Sequence, residues 1–120
     1  MIIVQAVLRT VEREVFILMK NVKITVLRKQ LYKDLAQEYL TDCEDIECDF
    51  FEEGDCFLYT GGAKMPEGFC PWAWVSVYHK VSALSAGASY TPYQKKEGVT
   101  FGCCPDGMRP VTFLLEAVDE

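Results

Sequence analysis

Apolar and polar residues alternate along Lys23–Leu27, so that Val22, Ile24 and Val26 share one face. A period of two residues is typical of a strand with one buried face. From Gln30 to Leu40 the apolar residues recur at helical spacing instead, which predicts a helix. The residues expected on the inner face of that helix are Leu31, Leu35, Tyr39 and Leu40.

A second helix is predicted to begin at Pro71, because the missing N–H of proline costs no hydrogen bond at the first helical position. Apolar residues at helical spacing then form a stripe made of Trp74, Val77, Tyr78, Val81 and Leu84. Gly87 is the expected end of this helix, since glycine readily adopts the left-handed conformation that terminates helices.

Three further strands are predicted. One is a short strand in Asp49–Tyr59, around Glu53-Gly54-Asp55 and entered through a turn at the glycine. The others are Val99–Cys103 and Val111–Val118, joined by a turn that contains Asp106 and Gly107. The resulting order, β-α-β-α-β-β, predicts an α+β fold. We expect a small, mostly antiparallel sheet with two helices packed on one face.

The first 18 residues differ from the rest, because they contain neither glycine nor proline and precede a plausible start at Met19. We interpret residues 1–18 as an extension upstream of the natural start, and residues 19–120 as one α+β domain. The competing interpretation is an amphipathic helix or strand that packs on the domain. The apolar residues of the segment recur every three or four positions, which fits the helix.

Charge and composition exclude several classes of protein. Twelve basic and eighteen acidic residues give a net charge of −6, which argues against nucleic-acid binding and against docking on anionic membranes. The N-terminus lacks the features of a signal peptide, and no apolar run approaches the roughly 20 residues of a membrane span. We therefore expect a cytoplasmic protein whose six cysteines are free or metal-bound thiols.

Two long motifs contain three of these cysteines: GGAKMPEGFCPWAW at positions 61–74 and CCPDGMRPV at 103–111. They resemble a small family of conserved hypothetical proteins of bacteria and archaea, and the resemblance covers about residues 19–118. It implies that Cys48, Cys70 and the pair Cys103 and Cys104 occupy positions typical of the family. The family has no established activity, so the resemblance implies no reaction.

Metal binding is one hypothesis for these thiols. Cys48, Cys70, Cys103 and Cys104 are the candidate ligands of a zinc ion or an iron–sulfur cluster. The spacing offers little support, since the chain has no C-x-x-C pair and adjacent cysteines in a regular strand point to opposite faces. The alternative is that several cysteines are small buried hydrophobic residues.

Cys70 is the candidate nucleophile, because it directly precedes Pro71 at the expected start of the second helix. Backbone N–H groups and the helix dipole favour a thiolate there, and Lys64 in the same loop adds positive charge. Cys103 or Cys104 would be the resolving thiol. The alternative is that Cys70 only packs beneath the neighbouring tryptophans.

Three other side chains are candidates for ligand binding or catalysis. Arg109 has a guanidinium that suits a carboxylate or phosphate ligand, although an ion pair within this acidic domain is the simpler account. Trp72 lies off the apolar stripe, so it suits a pocket or an interface. His79, the only histidine, falls more than two helical turns after Cys70 and is expected to be exposed.

Three functional hypotheses follow. The first is a metal- or cluster-binding module that serves a redox-enzyme partner. The second is a thiol-based redox protein or enzyme in which Cys70 is the nucleophile. The third is an interaction or assembly protein with structural cysteines, for which Trp72 favours a homo-oligomer.

Overall fold

A computed structural model describes residues 19–41 and 46–119 of the chain. Its elements in chain order are β1 (Asn21–Lys29), α1 (Lys33–Tyr39), β2 (Cys56–Tyr59), α2 (Pro71–Ser85), β3 (Val99–Cys103) and β4 (Val111–Val118). The predicted α+β fold, with its β-α-β-α-β-β order, is confirmed. The predicted extension at residues 1–18 lies outside the described residues, as does Cys43.

The four strands form a single antiparallel sheet in the order β2-β1-β4-β3. The first and last strands of the domain are therefore its central pair, and β2 and β3 are the edges. Lys23 on β1 is the register partner of both Leu58 on β2 and Glu116 on β4. Glu116 in turn pairs with Val99 on β3, so one row of side chains crosses all four strands.

The core lies between the inner face of the sheet and α2. On the helix, Val77, Val81 and Leu84 are fully buried, and on the central strands Ile24 and Phe113 are fully buried too. Each such side chain stabilises the fold by about 1.5–3 kcal/mol relative to an exposed position. The predicted stripe of α2 is therefore the helix face that packs on the sheet.

The predicted end of α2 at Gly87 is confirmed by its backbone geometry. Gly87 has a φ of 96°, its N–H donates to the Leu84 carbonyl at 3.0 Å, and the Ala88 N–H donates to the Ala83 carbonyl at 2.9 Å. This pair of bonds is a Schellman motif, which satisfies carbonyls that the last helical turn leaves free.

The prediction for α1 was wrong in its bounds and in part of its buried face, since Leu31 and Leu40 are half-buried but the other two predicted residues are exposed. The helix begins at Lys33 rather than Gln30, because the N–H groups of Gln30 and Tyr32 donate to the carbonyls of Pro110 and Met108, both at 2.9 Å. Ala36 is the buried residue of this two-turn helix. Leu35 and Tyr39, expected inside, are 40% and 74% exposed.

None of the helices in the described ranges is long and apolar enough to span a lipid bilayer.

Candidate functional site: the cysteine loops and the outer surface of α2

The loop before α2 is held by an aromatic cluster at one end of the core. Phe69 is buried, and its ring centroid lies 5.3 Å from that of Phe51, 5.1 Å from that of Phe57 and 5.3 Å from that of Phe113. These tilted and edge-on arrangements are the favourable ones for aromatic pairs. The residue after Phe69 is Cys70, so the cluster sets the position of that thiol.

The cysteines do not converge on a metal site. Across the described residues, no three His, Cys, Asp or Glu side chains form a group that could hold a metal ion. Binding of zinc or an iron–sulfur cluster by Cys48, Cys70, Cys103 and Cys104 stays a prediction that this geometry does not support. The five cysteines in these ranges are free thiols.

Packing accounts for three of the thiols. Cys48, Cys70 and Cys104 are half-buried and lie against the hydrophobic core, as expected of small apolar side chains. Cys103, the last residue of β3, is exposed. The adjacent cysteines thus differ in environment, since Cys103 ends β3 at the surface and Cys104 follows it against the core.

Cys104 is integrated into the backbone of the β3–β4 connection. Its Sγ accepts a hydrogen bond from the Val111 N–H at 3.3 Å, and its own N–H donates to the Val111 carbonyl at 3.1 Å. Although Cys103 is exposed, the atoms around its thiol displace part of its water, and this desolvation, followed by the neighbouring Cys104, raises the pKa of the Cys103 thiol. Cys103 is therefore a weaker nucleophile at neutral pH than an ordinary exposed cysteine.

Cys70 lies at the N-cap of α2, where the sequence placed it, and its carbonyl accepts the first helical hydrogen bond from the Trp74 N–H at 2.9 Å. Its side chain makes no capping hydrogen bond. Lys64 is exposed in the preceding loop. Its backbone N–H donates to the Gly61 carbonyl, with 3.4 Å between the nitrogen and the oxygen. The reactivity of Cys70 stays a prediction.

The β3–β4 connection is organised by Asp106. Its Oδ1 accepts hydrogen bonds from the N–H groups of Met108 at 2.9 Å and Arg109 at 3.1 Å. The Arg109 Nε lies 3.5 Å from Asp106 Oδ2, which makes an ion pair without a well-formed hydrogen bond. From the sequence, an ion pair within the domain was the simpler account of Arg109 than an external ligand. Asp106 is the acidic partner in that ion pair.

The outer surface of α2 carries large apolar side chains that no element within residues 19–41 and 46–119 covers. Trp72 is 62% exposed, and Val75, three residues further on, is 78% exposed. His79 lies exposed one turn beyond Val75. Trp72 was a candidate from the sequence, whereas Val75 was missed; its signal was an apolar residue off the buried stripe, at helical spacing from Trp72.

The site and fold together define a small α+β domain with packing thiols on one side of α2 and an apolar surface on the other. Comparisons with protein-family models, with curated proteins and with solved structures find no match for this chain. The resemblance of the two cysteine motifs to a bacterial and archaeal family therefore stays a prediction.

Proposed function

We propose that this protein is an interaction domain that binds a partner protein through the outer surface of α2, with its cysteines in structural roles. The observation that carries the proposal is the exposure of Trp72 and Val75 on a helix whose other face is fully buried. Tryptophan is among the residues most enriched where binding energy concentrates in protein interfaces.

The surface is rigid before any partner arrives. Val77, Val81 and Leu84 hold the helix against the sheet, and the Schellman motif at Gly87 closes its C-terminus. A preformed helix loses little backbone entropy on binding, so more of the contact energy is expressed as affinity.

The charge of this surface limits the kinds of partner protein that suit it. The chain has a net charge of −6, but α2 contains no aspartate or glutamate. The Lys80 ammonium points away from the Trp72 and Val75 surface, since its Nζ donates a hydrogen bond to the Phe101 carbonyl on β3 at 2.7 Å. The surface is therefore apolar and uncharged in an acidic protein, which suits a partner with an apolar pocket for Trp72 and tolerance of acidic surroundings.

A photo-crosslinking residue placed at position 72 in the full chain tests the proposal in cells. We expect one dominant adduct, and we expect Val75→Glu to abolish it, because a carboxylate would be buried in an apolar contact. Tyr93, 90% exposed in a loop, is the control position and should give no such adduct.

The partner identified in this way is then titrated with purified protein. Trp72→Ala should weaken binding about 30-fold, equivalent to about 2 kcal/mol, while Tyr93→Ala leaves the affinity unchanged. Alanine is the best helix former, so the substitution preserves α2. Equal crosslinking at positions 72 and 93, or an affinity unaffected by Trp72→Ala, would overturn the proposal.

A further inference from the structure

The sheet has a second face, opposite α2, which we call the outer face. Its side chains alternate with the buried ones, and several are large and apolar: Leu58 on β2 is 44% exposed and Phe101 on β3 is 39% exposed. Both lie on edge strands, and Leu114 on β4 is half-buried between them.

The strand register arranges the outer face in rows that cross the sheet. One row, read from β2 to β3, is Leu58, Lys23, Glu116 and Val99. The next is Cys56, Thr25, Leu114 and Phe101. The first row thus reads apolar, positive, negative, apolar, with its two charges on the central strands.

Among the described residues, the two charges of that row, Lys23 and Glu116, have no ionic partner. A cross-strand pair of opposite charges is favourable. The row is also self-complementary, since reversing its order places a positive charge opposite a negative one and an apolar residue opposite an apolar residue.

We propose that two copies of this protein associate through their outer faces, around a two-fold axis that runs parallel to the strands between β1 and β4. This axis stacks β1 on β4 of the second copy and β2 on its β3. Lys23 then faces the partner's Glu116, and Leu58 faces the partner's Val99. In the next row, Cys56 faces the partner's Phe101. Such isologous contacts are the rule in symmetric dimers.

The size of the face predicts a modest affinity. Four strands about 4.8 Å apart, with a central strand of eight residues, give a flat area of roughly 500 Å² per copy. Stable interfaces bury about 800 Å² per partner, so we expect a dissociation constant in the micromolar range. The surface of α2 lies on the opposite side of the domain, so dimerisation and the proposed partner binding are independent.

Sedimentation velocity of the full chain between about 5 and about 200 µM tests the dimer, since this range brackets a micromolar constant. The wild type should shift from monomer to dimer. Lys23→Glu places like charges across both symmetric contacts and should weaken the dimer about tenfold or more. Glu116→Lys should do the same. Lys95→Glu and Glu67→Lys change the net charge equally at exposed loop positions and should have no effect.

Mixing the two single variants gives the decisive result. A heterodimer of Lys23→Glu with Glu116→Lys has opposite charges at both contacts, so an equimolar mixture should recover wild-type association. A local effect within one chain cannot be repaired by a second chain. A wild type that is monomeric throughout, or a mixture no better than its components, would overturn the proposal.

Alkylation of Cys56 distinguishes a second copy from coverage by residues 1–18 of the same chain. In the dimer Cys56 lies under the partner's Phe101, so its labelling rate should fall as the protein concentration rises. Protection of Cys56 that does not depend on concentration would place another segment of the chain on the outer face and overturn the proposal.

Discussion

Gly102 brings β3 close to α2, and Gly102→Ala tests that packing. A Cβ at this position would lie 2.7 Å from Val77 Cγ1 and 3.4 Å from Val77 Cβ. Carbon atoms in favourable contact are about 3.5–4.0 Å apart, so the added methyl clashes. Val77 cannot rotate away at low cost, because a β-branched residue in a helix has one strongly preferred rotamer.

Two opposing effects set the expected magnitude. Overpacking a tight core typically costs about 1–3 kcal/mol. Replacing glycine by alanine also restricts the unfolded chain, which stabilises the fold by about 0.4–1 kcal/mol where the new residue fits. The clash is the larger effect, so we expect Gly102→Ala to destabilise the fold by about 1–2 kcal/mol.

Urea unfolding of the wild type and the variants measures this difference. Gly107→Ala is the matched control, since a Cβ there meets no atom within 4 Å, and it should be no less stable than the wild type and up to about 1 kcal/mol more stable. Val77→Ala alone should cost about 2–3 kcal/mol. When Gly102→Ala and Val77→Ala are combined, the clash is removed. The loss of stability in this double variant should therefore be smaller than the sum of the two single losses by about 1–2 kcal/mol. A Gly102→Ala variant as stable as the wild type would refute the close approach.

Two other substitutions test the loops. Asp106→Ala removes the acceptor of two backbone hydrogen bonds and should cost about 1–2 kcal/mol in urea unfolding, whereas Asp106→Asn keeps that acceptor and should cost less; equal losses would contradict this role. The Thr91 hydroxyl, followed by that of Ser89, lowers the pKa of Glu97, so Thr91→Val should raise it in an NMR titration. Because the pKa is lowered in the folded state, this stabilisation is present above the ordinary glutamate pKa and is lost as the pH falls through the folded value; an unchanged titration would exclude the hydrogen bond.

The strands were the most predictable part of this fold. The bounds of Val99–Cys103 and Val111–Val118 agree with the sequence prediction, because period-two alternation and the Asp106–Gly107 turn are local signals. The start of α2 was equally local, since proline at the first helical position and the apolar stripe both fall within the helix. In each case the residues that specify the helix or strand lie within it or directly beside it in the sequence.

The predictions that failed depended on distant parts of the chain. The start of α1 is set by hydrogen bonds to carbonyls near Pro110, some 80 residues away, which no local pattern reveals. Cysteine spacing likewise does not say whether Cys48 and Cys70 meet in space, because such a contact depends on how distant loops pack. The candidate residue Trp72 was predictable because exposure on a helix follows from a periodic pattern.

The pairing of β1 with β4 has a consequence for how the protein is made. Asn21 is the register partner of Val118, so the centre of the sheet joins the two ends of the domain. A growing chain can pair β1 only with β2 until β4 has left the ribosome, and closing so long a loop slows folding. One edge of β1 therefore stays unpaired for most of synthesis, and this strand is the segment we expect a nascent-chain chaperone to bind.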